Sequence, residues 1–371
     1  MTGSGVAIEN VSLRLGTFLL KNVTLGVAEG EILVVLGPNG AGKSVTLETI
    51  AGFHRPASGR VIIAGRDVTG LPPEKRRIGL LFQNFGLFPH LSVAVNVALG
   101  LRMEKSSKPA NGSRASTLAA LLARFAIAPL ADRLPSDLSP GEKQRTALAR
   151  AFAMQPDLFM FDEPFSALDV QNREALREEL RVFLRETRIP AIFVTHDQDD
   201  AAVLADRVAV MDRGAVVQDG PAAELFQAPA SAFVADFVGI DNRLPGRVLG
   251  RIGDLWRIAI GDRLLHARDA RFTGGDNANV VLCVRGEDVV LHGGDACTGA
   301  NDPAANRIAM RVVRITGLGA LRKIVLEGGF SLTACLTRRE AGHLSLAPGD
   351  SAIVEIDPGA IHLLAATPES A

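Results

Sequence analysis

The stretch LVVLGPNGAGKSVTLETIAG, residues 33–52, limits what this chain can fold into more than any other. An apolar run leads into a glycine-rich segment, and that segment leads into a helical pattern with Leu47 and Ile50 on one face. Gly37, Gly40, Gly42, Lys43 and Ser44 satisfy G-x-x-x-x-G-K-[ST], with Pro38, Asn39 and Ala41 filling the loop. Glycines alone would make an ordinary turn, but a buried strand before and a helix after are the context a phosphate cradle requires. There, backbone N–H groups line a concavity and the helix N-terminus adds positive potential. Lys43 is then expected on the β- and γ-phosphates, and Ser44 on Mg2+.

The rest of the first ~240 residues fits an α/β chain, in which short apolar strands alternate with helices. EILVVLG, LFMFDE and AIFVTH are bounded, β-branched or aromatic runs, as expected for strands buried on both faces. Leu118, Leu121, Leu122 and Phe125 fall at helical spacing, as do Leu176, Leu180, Phe183 and Leu184. The arginines and glutamates opposite this second stripe read as a solvated face. EKSSKPANGSRA reads as a polar surface loop. Near FVGIDNRLPGRV the texture changes to short alternating runs separated by Gly, Asp and Pro, which predicts an all-β region. Asn242-Arg243-Leu244 with Arg247-Val248 is echoed by Asn306-Arg307-Ile308 with Arg311-Val312, suggesting two similar β units. The expected domains are 1–240 and 241–371.

Composition narrows the function classes. Forty Lys and Arg nearly balance 41 Asp and Glu, so no broad basic field for nucleic acid is expected. Cys283, Cys297 and Cys335 are odd in number and widely spaced, and read as reduced thiols rather than a disulfide frame or zinc site. No apolar run approaches the ~20 residues of a membrane span, and the N-terminus lacks the pattern of a secretory signal. A role at a membrane would be exercised from the water side, through partners.

Several further residues are candidates for chemistry. In PDLFMFDEP a strand ends in Asp162 and Glu163, at the sheet edge where open α/β folds bind ligands. Asp162 is expected to hold Mg2+ through water and Glu163 to polarise an attacking water. Gln83 and His196 follow other apolar runs. Taken singly, Gln83 reads as a surface residue, and the structural reading of His196 is favoured over a phosphate contact. In LSPGEKQR, Ser139 and Glu142 form the S-x-x-E start of a helix with Pro140 at its first position.

Together, GPNGAGKS, Gln83, LSPGEKQR, LFMFDE, SALD and His196 resemble, in this order, the ATP-binding cassette of ABC transporters. The resemblance implies an α/β P-loop NTPase with a helical signature subdomain, binding ATP and Mg2+. It makes Glu163 the catalytic base and His196 the switch histidine. Gln83 becomes the residue that links the Mg2+ site to a membrane subunit, and Asp169 the D-loop aspartate. It also implies a head-to-tail dimer in which Ser139 and Gly141 of one copy close over ATP in the other. Ser139 would then both cap its helix and donate to the γ-phosphate. Glu142 stands where the family has glutamine and brings negative charge toward the polyphosphate. The adenine-stacking aromatic of the family is replaced by Leu15, with Phe18 three residues on.

NRLPGRV, VRGEDVVL and the segment from Leu336 to Leu364 are similar to the TOBE-type, OB-like β domain of importers. LRLGTF, GAGKSVTLETIAGF and GLPPEKRRIG are most similar to molybdate and tungstate cassettes, with ferric-iron, polyamine and sulfate importers as alternatives. The implied partners are two transmembrane permease subunits, a periplasmic solute-binding protein acting through them, and a second copy of the chain. Its place would be the cytoplasmic face of the inner membrane.

Overall fold

The computed structural model describes residues 5–82, 85–103, 114–166, 168, 170–293 and 306–366. Gln83, Asp169, Cys297 and most of the EKSSKPANGSRA stretch lie outside the described residues. The chain divides into two compact units, 1–225 and 226–371.

The first unit opens with β1 (Val6–Leu15), β2 (Phe18–Val27), β3 (Ile32–Leu36), α1 (Lys43–Ala51), β4 (Ser58–Ile63) and β5 (Arg66–Asp67). There follow β6 (Ile78–Leu81), α2 (Val93–Met103), α3 (Arg114–Arg124), α4 (Pro140–Ala153) and β7 (Leu158–Asp162). The last elements are α5 (Val170–Thr187), β8 (Ala191–Val194), α6 (Gln198–Leu204), β9 (Arg207–Asp212) and β10 (Ala215–Pro221). The chain passes into the second unit within α7 (Ala222–Gln227).

Six strands form one sheet in the order β10-β9-β3-β8-β7-β6, parallel except for the β10–β9 pair. The central strands β3 and β8 are buried along their whole length, which is why they read as unbroken apolar runs. An antiparallel sheet, β2-β1-β4-β5, shares a core with Leu47 and Ile50 of α1 and with Val35, Met160 and Ile192 of the large sheet. Phenylalanines fill another cluster, where Phe152 of α4 and Phe183 of α5 meet Phe159 of β7 and Phe125.

The second unit holds α8 (Ala232–Phe237), β11 (Asn242–Ile252), β12 (Leu255–Ile260), β13 (Arg263–Ala267), β14 (Asn279–Val284) and β15 (Val289–His292). It continues with β16 (Asn306–Leu318), β17 (Leu321–Glu327), β18 (Ser331–Thr337), α9 (Arg338–Leu344), β19 (Ser351–Ile356) and β20 (His362–Ala365). The sheets run β13-β12-β11-β14-β20 and β15-β19-β16-β17-β18. Each therefore takes four strands from one half of the unit and its edge strand from the other half.

The echoed asparagines open the two corresponding strands. Asn242 donates to the Val284 and Thr333 carbonyls and accepts from the Thr333 N–H at 2.6 Å. Asn306 donates to the Ile356 and His266 carbonyls and accepts from the His266 N–H at 2.6 Å. Each buried amide thus pins a strand of the opposite sheet. Asp269 is also buried and accepts from the Arg271 and Leu363 N–H groups, with His362 Nδ1 at 2.8 Å. Burial alone would raise its carboxyl, but His362 and the two amides outweigh it and hold Asp269 at about 2.

The unit begins before its β texture does. The Phe226 carbonyl accepts from Arg285 at 2.6 Å, and His362 Nε2 lies 3.0 Å from the Pro229 carbonyl. Cys283 and Cys335 are free thiols, and burial pushes Cys283 up to about 12.

Candidate functional site

The site forms where β3, β8 and β7, three adjacent parallel strands, end together. From β3 the chain enters the glycine loop, and α1 starts at Lys43 with Gly42 as its cap at φ 103°. A side chain at Gly42 would meet Phe18, since an added Cβ falls 2.6 Å from the ring's Cζ. Phe18 therefore rests its ring against the cradle, paired across the β1–β2 hairpin with half-buried Leu15. Pro38 is half-buried, Asn39 and Gly40 are exposed, and Ala41 is buried with its N–H bonded to the Pro38 carbonyl.

Lys43 is buried, and its Nζ donates to the Gly37 carbonyl at 2.8 Å and the Pro38 carbonyl at 3.1 Å. Burial pushes its ammonium below the ordinary lysine range, while Glu163 and Asp162 pull it back up. One helical step on, the Ser44 hydroxyl donates to Asp162 Oδ1 at 3.3 Å. Burial raises the Asp162 carboxyl; Ser44 and Lys43 lower it, and Glu163 and Glu48 add to the rise. A hydroxyl beside a carboxylate that its surroundings leave short of positive charge suits a small, hard divalent cation.

Glu163 and His196 extend from β7 and β8, with His196 Nδ1 2.9 Å from Glu163 Oε1. Glu163 sits in the left-handed region at φ 45°, a conformation that disfavours non-glycine residues. It is held there by its N–H donating to the Val194 carbonyl, and by Ser166 donating to its carbonyl through both N–H and hydroxyl. Nothing in the letters DEP announces this strain.

Ser139 caps α4. Its Oγ accepts from the Glu142 N–H at 3.4 Å, and the Glu142 carboxylate accepts from the Ser139 N–H at 2.7 Å. The charge expected to approach the polyphosphate is thus folded back onto the helix end, and the Ser139 N–H holds the carboxyl below its usual range. Gly141 is half-buried in the first turn. Gln144 ties α4 to the segment after Glu163 by donating to the Pro164 carbonyl at 2.5 Å.

The charged face of α5 is not simply solvated. Arg177 is buried and donates from Nε to Asp200 at 2.5 Å, and Asp200 also accepts from Thr195, the residue before His196. The i, i+4 spacing of Arg173 and Arg177, set against Asp197 and Asp200 after the histidine, was the available signal. Arg150 of α4 was also missed. It donates to the Gly86 and Phe85 carbonyls beside a groove of about 350 Å3 lined by Phe53, Phe82 and Phe88, all exposed.

Comparison with known proteins gives the family. The family model for the ABC transporter matches residues 20–166, and that for the TOBE domain matches residues 302–363. A molybdate/tungstate import ATP-binding protein of Pyrococcus horikoshii is 38% identical over 96% of this chain and 99% of its own length.

The chain belongs to the ATPase subunits of ABC importers.

A sulfate/thiosulfate import ATP-binding protein of Thermosynechococcus vestitus is 35% identical to this importer ATPase, over 95% of this chain and 96% of its own. A dimeric ATP-binding cassette solved in a post-hydrolysis state with ADP and Pi is 30% identical. It has a TM-score of 0.53 and covers 58% of this chain and 98% of its own. Among the described residues, no helix is long and apolar enough to cross a membrane.

Proposed function

We propose that two copies of this chain enclose ATP between them and hydrolyse it to drive import of an oxyanion such as molybdate or tungstate. The observation that carries this reading is the convergence of the Lys43 loop, the Ser44–Asp162 pair and the Glu163–His196 pair at one sheet edge. Lys43 and the backbone N–H groups of residues 39–44 grip the polyphosphate. Ser44 and Asp162 are the residues that would hold Mg2+, with Gln83 as a third by resemblance. When bound, the ion neutralises charge on the phosphates.

Glu163 orients water and accepts its proton as the oxygen bonds to the γ-phosphorus and the bond to ADP breaks. His196, fixed through Nδ1, offers its other ring nitrogen to the γ-phosphate. Adenine lies against Phe18 and Leu15. Ser139, Gly141 and the Glu142 helix end seal the nucleotide of the partner copy, with Asp169 at the dimer seam. By role, residues 1–240 are assigned to the ATPase part and 241–371 to the regulatory part, with 226–240 belonging to the second compact unit. The chain docks on the cytoplasmic face of the membrane, with the exposed phenylalanine groove against two permease subunits served by a periplasmic receptor.

Glu163→Gln is expected to lower ATP turnover by about 10²–10⁴-fold while ATP still binds. Turnover at the parental rate would refute the base assignment. The solute is tested in the reconstituted importer with its receptor. Molybdate or tungstate should stimulate hydrolysis, and stimulation by sulfate or spermidine alone would reassign the solute to the sulfate or polyamine alternative, each of which has a full-length relative.

A further inference from the structure

His196 is carried on a short loop between β8 and α6, so its aim depends on what fixes residues 195–197. Asp197 caps α6 through Oδ1, accepting from the Asp199 N–H at 2.8 Å and the Asp200 N–H at 3.3 Å. Its Oδ2 faces two arginines of α5, Arg173 at 2.9 Å and Arg177 at 3.3 Å. Its own N–H donates to Thr195 Oγ1, and that hydroxyl donates to Asp200.

The two arginines are not equivalent. Arg177 is buried against Asp200 and lies over the Phe165 ring, the pattern of a structural ion pair. Arg173 instead reaches out of the network to the Leu168 carbonyl at 3.4 Å, in the segment that follows Glu163. Its Nε is buried and has no hydrogen-bond partner among the described residues. A buried donor without an acceptor lowers stability, so an apolar side chain of similar length recovers part of what the lost Asp197 and Leu168 bonds cost. A recess of roughly 110 Å3 opens beside the pair, lined also by Glu163, Ser166, Thr195 and His196.

These contacts close a ring. Glu163 is bonded to Ser166 through its carbonyl, Leu168 follows, Arg173 joins Leu168 to Asp197, and His196 returns to Glu163. We propose that Arg173 is a positioning residue for ATP hydrolysis, holding the Glu163 and His196 segments together through Leu168 and Asp197. The inference rests on the catalytic reading of that pair. Arg173 bonds Leu168 and Asp197 rather than Glu163 or His196, and acts by keeping the base and the histidine in register.

The test uses the full-length chain and reads ATP turnover, KM and melting temperature. Arg173→Met is expected to lower kcat by about 10- to 100-fold, the cost of a small misplacement of catalytic groups. KM for ATP should stay within about twofold, and melting should fall by no more than a few degrees, since Asp197 keeps Arg177 and the two α6 amides. Arg173→Lys should recover most of kcat. Asp197→Asn keeps the helix cap and should reproduce the kcat loss, with no further loss in the double variant. The proposal is overturned if kcat of Arg173→Met stays near the parental value, if its melting falls in step with kcat, or if the two losses multiply. Glu163→Gln separates the levels. If it is inert while Arg173→Met is fully active, only the positioning role falls, whereas an active Glu163→Gln removes both.

Discussion

In the second unit, Asn242 and Asn306 each satisfy main-chain groups on two strands, and Asp269 takes two amides and a histidine. Around its site the first unit treats buried polarity otherwise, while elsewhere in it Arg76 and Asn96 are buried and paired with main-chain groups. Gln144 Oε1 and Arg173 Nε are the buried side-chain atoms without partners among the described residues, Lys43 is buried against carbonyls, and Glu163 is held at positive φ. Fully paired polar groups fix strand pairing and rigidify a core. Groups left short of partners, or held in strain, are available to a ligand. The contrast separates a site built to act from a unit built to hold a shape.

Each of the following changes strikes one side of that contrast. Lys43→Ala should weaken ATP binding by roughly 100-fold, the loss of a charged hydrogen-bond donor to phosphate. Equilibrium titration measures this, and thermal unfolding followed by Trp256, the chain's one tryptophan and a residue of the second unit, should not move. A shared loss in both readouts would break the comparison.

Asp269→Asn is the converse test. Because the folded carboxyl sits at about 2 against 3.8 for the free group, the unfolded chain binds more protons between those values. The stabilisation is therefore complete above pH 3.8 and lost as pH falls toward 2. It amounts to about 2 kcal/mol. Urea unfolding at neutral pH should show that loss in the Trp256 signal, with the difference between parent and variant fading in acid. ATP turnover should be unchanged.

The smallest effect is expected for Glu142→Gln. The carboxylate is spent on the Ser139 N–H, so ATP-dependent dimerisation should change by less than about threefold. A large gain would mean that Glu142 repels the polyphosphate after all.

Much of this was legible from the letters. The strand–loop–helix around Lys43 fixed both the sheet type and the cradle, because a glycine loop of that spacing with those flanks has few other uses. The Ser139–Glu142 cap was readable in both directions of its hydrogen bonds. The asparagine echo hinted at duplication, yet the exchange of β15 and β20 between sheets depends on tertiary pairing that no local pattern encodes. Arg177 was misread because a charged helix stripe looks the same whether it meets water or buried aspartates. The left-handed backbone at Glu163 was invisible, since it is imposed by the Val194 carbonyl and Ser166 rather than by glycine.

The central claim is that the Lys43 loop of one copy and the Ser139 helix end of another grip a single ATP. It is tested most directly by replacing Asn39 and Pro140, both exposed neighbours of those groups, with cysteine in a Glu163→Gln chain lacking its native thiols. Oxidation with ATP present should give a disulfide-linked dimer that is absent without nucleotide. A chain that binds ATP under these conditions and remains monomeric would contradict the account.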